Sequence, residues 1–121
     1  MDKNQGSKGL SMDEETFSLE AYLADEDTVY TATQIFDALS DYTRFQILGA
    51  LCQAEHSVTE LQDVSHVSQS AISHQLRLLR DRGLVQARRD GQRMLYSLDD
   101  EHVRTLIMVA LHHASEAVGR G

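Results

Sequence analysis

The chain has 121 residues, 41% of them apolar, and carries 11 Lys and Arg against 19 Asp and Glu, a net charge of −8 with histidine neutral. That length fits one small domain. No apolar run approaches the roughly 18–20 residues of a membrane span, the polar N-terminus lacks the apolar core of a secretory signal, and a lone cysteine, Cys52, excludes an internal disulfide and suits a reducing cytoplasm.

Residues 1–27 are acidic and weakly periodic and are expected to form a partly disordered arm, with a short helix over 14–24. Residues 28–118 are expected to form the domain proper. Val29, Ala32, Ile35, Phe36 and Leu39 recur at helical steps from Thr28 onward. Ser40-Asp41 signals a second helix, whose apolar stripe runs through Phe45, Leu48, Leu51 and Cys52. Ser57-Val-Thr-Glu60 matches a capping box and predicts a short helix ending near Val64. After a turn at 65–67, Ser68 is placed to cap a helix that Gly83 ends near Arg82. The period then switches to two on either side of Asp90-Gly91, a strong hairpin signal. Asp99 is expected to cap a last helix running to about Val118. This order predicts a mainly α fold with a β-hairpin wing, a winged helix-turn-helix.

At face value, −8 argues against a nucleic-acid partner, but the charge is unevenly spread. Residues 67–95 hold six arginines against Asp81 and Asp90, a local net of +4, and local field decides whether a surface approaches DNA. The helix after Ser68 presents Ser68, Gln69, Ser70, Ser73, His74 and Gln75 near its start, the end that enters the major groove in helix-turn-helix proteins. Arg77 and Arg80 follow at positions suited to phosphates, and Arg88, Arg89 and Arg93 surround the wing tip. Operator DNA is the expected partner.

The last helix carries Asp100-x-His102-x10-His113-x2-Glu116. His102 and His113 are about 20° from one face but roughly 16 Å apart along the axis, so one helix cannot close a site around one ion. His113 and Glu116 converge at i and i+3, and Asp100 can turn toward His102 at the helix start. Two such helices paired antiparallel about a twofold axis would create two identical four-ligand sites in a homodimer. Val103, Leu106, Ile107, Ala110, Leu111 and Ala114 supply the apolar face for core and dimer packing. His112 lies about 100° around from His113 and is expected to be surface or to support the ligands from outside. Cys52 falls in an apolar stripe and is expected to fill the core.

Residues 35–116 resemble the ArsR/SmtB family of bacterial metal-sensing repressors, in particular its zinc- and cobalt-responsive members. The likeness rests on Ala38-Leu-Ser-Asp-Tyr-Thr-Arg44, on Ser68-Gln-Ser-Ala-Ile-Ser-His-Gln-Leu76, on Gly91-Gln-Arg-Met-Leu-Tyr-Ser-Leu98, and on Asp-Asp-Glu-His102 preceding Leu-His-His113. The resemblance implies a cytoplasmic homodimeric repressor, not an enzyme. Its apo form would hold operator DNA, and metal at Asp100, His102, His113 and Glu116 would release it, derepressing efflux or sequestration genes. A second family site, built on cysteines in the arm and before the reading helix, has no counterpart: no cysteine or histidine precedes Cys52, and Ser57 stands at the other position. Two imidazoles with two carboxylates suit Zn²⁺, with Co²⁺ next. A bond from His113 to a carbonyl near Gly83 is the expected route from metal to the reading helix. The alternative is a DNA-binding winged-helix dimer with structural metal or a non-metal signal.

Overall fold

The structure, a computed structural model, describes residues 19–120, so the expectations for the first 18 residues fall outside it. The chain divides between Gln34 and Ile35 into two compact units. Residues 19–24 are helical, and α1 (Glu26–Leu39) begins two residues before the expected start. Asp25 is the reason. Its carboxylate accepts from the Asp27 N–H (3.2 Å) and the Thr28 hydroxyl (2.8 Å), capping a helix whose acidic first turn suits its dipole.

Helix α2 (Tyr42–Leu51) is capped by Asp41, and α3 (Val58–Ser65) by the expected capping box, in which Glu60 Oε1 accepts from the Ser57 N–H at 2.8 Å. Helix α3 packs through Leu61 and, unexpectedly, Ser65, whose hydroxyl donates to the Leu61 carbonyl (3.0 Å). Val64, on the same helix, is 38% exposed. The turn into α4 (Gln69–Asp81) places His66 in the left-handed region (φ 61°, ψ 30°). At the far end of α4, Gly83 takes φ 74° and the Leu84 N–H reaches back to the Leu79 carbonyl (2.9 Å), a Schellman closure.

The wing is the antiparallel pair β1 (Val85–Asp90) and β2 (Arg93–Leu98), in register Val85↔Leu98 through Asp90↔Arg93. Its two-residue turn is therefore Gly91-Gln92, one residue later than Asp90-Gly91. Of the two, only Gly91 takes positive φ (67°), as a type II′ turn requires, whereas type I′ would force Gln92 there as well. His56 adds a short third rung by exchanging backbone bonds with Tyr96 (3.0 and 2.8 Å).

Helix α5 (Glu101–Arg120) is capped by Asp100 rather than Asp99: Asp100 Oδ1 accepts from the Val103 N–H at 3.1 Å. The Asp99 N–H is already committed to the Leu84 carbonyl (3.0 Å), which prolongs the hairpin and moves the helix start by one residue. The core gathers Ile47, Leu48, Leu61, Ile72, Leu76 and Leu79 beneath the base of the wing. Among the described residues of α5 it takes only Val103 and Ile107. Leu106, Met108, Val109 and Leu111 stay exposed on the single chain.

Candidate nucleic-acid interface and metal half-sites

The outer face of α4 is one continuous polar surface. Gln69, Ser70, Ser73, His74 and Arg77 line a single open depression, consistent with an arc of about 140° around the helix. A second cleft, lined by Ser73, Arg77, Arg80, Asp81 and Tyr96, runs from α4 to the wing. Tyr96 was missed as a candidate because a strand tyrosine reads as packing; its place on the wall of this cleft shows it facing α4.

Two other candidates are placed differently. The Ser68 oxygen caps α4, accepting from the Ala71 N–H (3.1 Å), and lies 3.3 Å from the Ser70 hydroxyl. Gln75 sits about 170° from the middle of the polar arc. It is half-buried, and its Oε1 accepts from Arg44 Nη1 at 3.2 Å.

The three wing arginines do not form one cluster, because side chains alternate across a strand. Arg89 shares the face of Ala87 and Tyr96, the face that meets α4. Arg88 and Arg93 lie on the other. Arg88 is held by both oxygens of Glu55, at 2.9 and 2.8 Å, which keeps the Glu55 carboxyl below its ordinary range. Arg93 lies 4.0 Å from Asp90 and close enough to Glu60 to help lower that carboxyl, after its main cause, the backbone bond from Ser57. Cys52 is buried, as expected, and burial pushes its thiol pKa up.

On α5 the expected ligands lie toward its two ends, and of them Asp100 and His102 are in contact. His102 Nδ1 lies 3.5 Å from Asp100 Oδ2, with the imidazole 95% exposed. Donors at about 2.0–2.2 Å from a tetrahedral ion sit about 3.3–3.6 Å apart, and the separation of this pair falls within that range. The Asp100 cap uses Oδ1 and leaves Oδ2 toward the histidine. At the other end, His113 is exposed and Glu116 Oε2 lies 3.5 Å from His112 Nε2, one turn back. Among the described residues no three His, Cys, Asp or Glu side chains gather closely enough to hold an ion. The donor chemistry fits a metal, two donors at each end of one helix. Gly83 ends α4, and no hydrogen bond joins it to His113 among the described residues.

Residues 41–87 match the family described as bacterial regulatory protein, arsR family. The chain is also 40% identical over 91 residues to the transcriptional repressor SmtB homolog of Synechocystis, covering 75% of this chain and 69% of that protein. The chain belongs to the ArsR family.

A second relative is the cadmium resistance transcriptional regulatory protein CadC homolog of Staphylococcus aureus, 38% identical over 89 residues, 73% of this chain and 74% of that protein. The fold is that of a homodimeric winged helix-turn-helix DNA-binding domain from Mycobacterium bovis, at TM-score 0.72 and 26% identity, covering 95% of this chain and 96% of that one. This ArsR-family chain is thus a DNA-binding transcriptional regulator and not an enzyme. No helix among its described residues is long and apolar enough to cross a membrane.

Proposed function

We propose that this ArsR-family regulator is a homodimeric, cytoplasmic, metal-responsive repressor whose apo form holds operator DNA and whose zinc-bound form releases it. The observation that carries the reading is the split donor set of α5: Asp100 and His102 paired at 3.5 Å at one end, His113 and Glu116 at the other, all on one exposed helix. Antiparallel pairing of two α5 helices brings the front pair of one chain to the back pair of its partner. The exposed Leu106, Met108, Val109 and Leu111 give that pairing an apolar lining.

In this scheme Asp100 does two jobs with two oxygens, fixing the start of α5 and turning its free oxygen toward His102. Bound between the pairs, zinc, with cobalt as second choice, would supply a crosslink of four N and O donors. His113 would pass the change to the end of α4 by donating its other ring nitrogen to a carbonyl near Gly83 of the dimer. The outer face of α4 (Gln69, Ser70, Ser73, His74, Arg77) reads the major groove, and Arg89 of the wing meets phosphate. Two reading helices must sit about one DNA turn, roughly 34 Å, apart, so a small rotation at α5 misaligns both. Coupling of 1–3 kcal/mol, as is typical, gives about 5–150-fold release.

The test is operator binding by fluorescence anisotropy, titrated with Zn²⁺ and reversed by chelator. Affinity should fall on saturation and return with the chelator. Unchanged affinity in a zinc-saturated dimer would overturn the derepressor reading and leave the metal a structural part.

A further inference from the structure

We propose that Arg44 is a positioning residue for DNA reading, locking the back of α4, through Gln75, to the C-terminal end of α1. Helix α1 has no basic residue in its last turn, and the carbonyls there lack intrahelical donors. Ser40 donates its N–H (3.1 Å) and its hydroxyl (2.7 Å) to the Asp37 carbonyl, and Arg44, near the start of the next helix, adds further donors and the charge. Its Nε donates to the Ala38 carbonyl (2.8 Å) and its Nη2 to the Asp37 carbonyl (3.3 Å). A planar guanidinium held by two adjacent carbonyls has its orientation fixed. The remaining amine, Nη1, is thereby aimed at Gln75 Oε1, 3.2 Å away on the side of α4 turned from the reading face.

A second tie lies at the other end of α4, where Arg82 Nη1 comes within 3.8 Å of the Asp37 carboxylate. The last turn of α1 thus touches α4 at two points one and a half to two turns apart, which resists rotation as well as sliding. Base reading depends on angle and register, whereas non-specific attraction to phosphates does not. The clamp therefore acts on specificity. Gln75 serves DNA recognition from behind rather than by touching a base, and lysine cannot replace Arg44, because one ammonium cannot span three acceptors in a plane.

The inference rests on α4 reading DNA and is independent of the metal response, so the test is run in chelator on the full chain. The probes are a duplex that the wild type selects from a random pool and a scrambled duplex of the same composition. Q75L should weaken the selected duplex by about tenfold, leave the scrambled one unchanged and keep the wild-type salt slope. Q75E, whose carboxylate still accepts from Arg44, should stay within about twofold of wild type. R44K combined with Q75L should be no weaker than Q75L alone. Q75E binding more weakly than Q75L would overturn the clamp, since Gln75 would then be touching DNA. So would additive losses in the double variant, or an R44Q variant that weakens both duplexes alike and lowers the salt slope by about one contact. A wild type that selects no duplex would instead sink DNA reading itself.

Discussion

His66 is the one described non-glycine residue with positive φ, and it sits in the turn between the two helices that build the reading unit. A side chain there crowds the following carbonyl, at a cost of roughly 1–2 kcal/mol, part of which glycine returns through its looser unfolded state. His66 is exposed and donates only its backbone N–H, to the Gln62 carbonyl. His66→Gly should therefore stabilise the fold by about 0.5–1 kcal/mol, read as a higher midpoint in thermal or urea unfolding. A lower midpoint would mean that the imidazole makes a compensating contact. Glu55 offers a second test at this scale. Arg88 depresses its carboxyl, so the stabilisation from the pair is complete above the ordinary carboxylate range and fades as pH falls through the lower folded value. Glu55→Gln should flatten that acid limb of the unfolding curve. It should also free Arg88 for phosphate, steepening the salt dependence of DNA binding by about one contact. An unchanged slope would show that Arg88 stays with the wing whether or not Glu55 is charged.

Among the elements, the wing separates its arginines by the alternation of its strands. Arg89 shares the face of Tyr96, across a cleft from Ser73, Arg77 and Arg80, while Arg93 looks toward Asp90 and Glu60. Arg89→Ala should weaken binding to matched and scrambled duplexes alike and reduce the salt slope by roughly one contact, and Arg93→Ala should do so less. Equal losses would mean that the hairpin twists enough for both faces to meet the backbone. The helices and the hairpin were legible in the sequence because their signals are local: the Ser57/Glu60 box, the Ser68 cap and the glycine at residue 83 lie within a few residues of what they govern. The turn slipped by one residue because only Gly91 tolerates the left-handed position, and a dipeptide motif does not say which strand residue closes the ladder. The cap of α5 slipped by one because the Asp99 N–H is taken by Leu84, fifteen residues back. The fates of Gln75 and Arg88 were hidden for the same reason. Their partners, Arg44 and Glu55, lie 31 and 33 residues away, beyond the reach of any periodicity.

At the scale of the whole molecule, the net charge of −8 and the positive reading head are compatible because they occupy different stretches of chain. Six of the eleven cations lie within residues 67–95, and the Glu55 carboxylate tempers even that cluster by holding Arg88. Among the acids elsewhere, Asp37 comes within 3.8 Å of Arg82 at the end of α4. Two of them, Asp100 and Glu116, stand beside histidines on α5, where a carboxylate serves as ligand as readily as it solvates a surface. The single cysteine, buried and with its thiol pKa raised, offers no thiolate to compete with these N and O donors.

Whether the proposed zinc sites cross between chains can be decided by mixing two variants. His102→Ala removes a donor from the front pair and spares the Asp100 cap; His113→Ala removes one from the back pair. Both imidazoles are exposed on the single chain, so neither change should unfold it. Each homodimer then has two sites that both lack one ligand. A heterodimer of the two is different if the sites span the interface. The front pair of the His113→Ala chain meets the back pair of the His102→Ala chain, and one site regains all four donors while the other lacks two. The expected result is one tight zinc per heterodimer and none in either homodimer, with part of the zinc-induced release of DNA restored. The readouts are competition with a chelating dye for stoichiometry and anisotropy for release. If each site were built from one chain, mixing would restore nothing. No recovery of tight binding in a verified heterodimer would therefore remove the cross-subunit assignment, even if zinc still released DNA from the wild type.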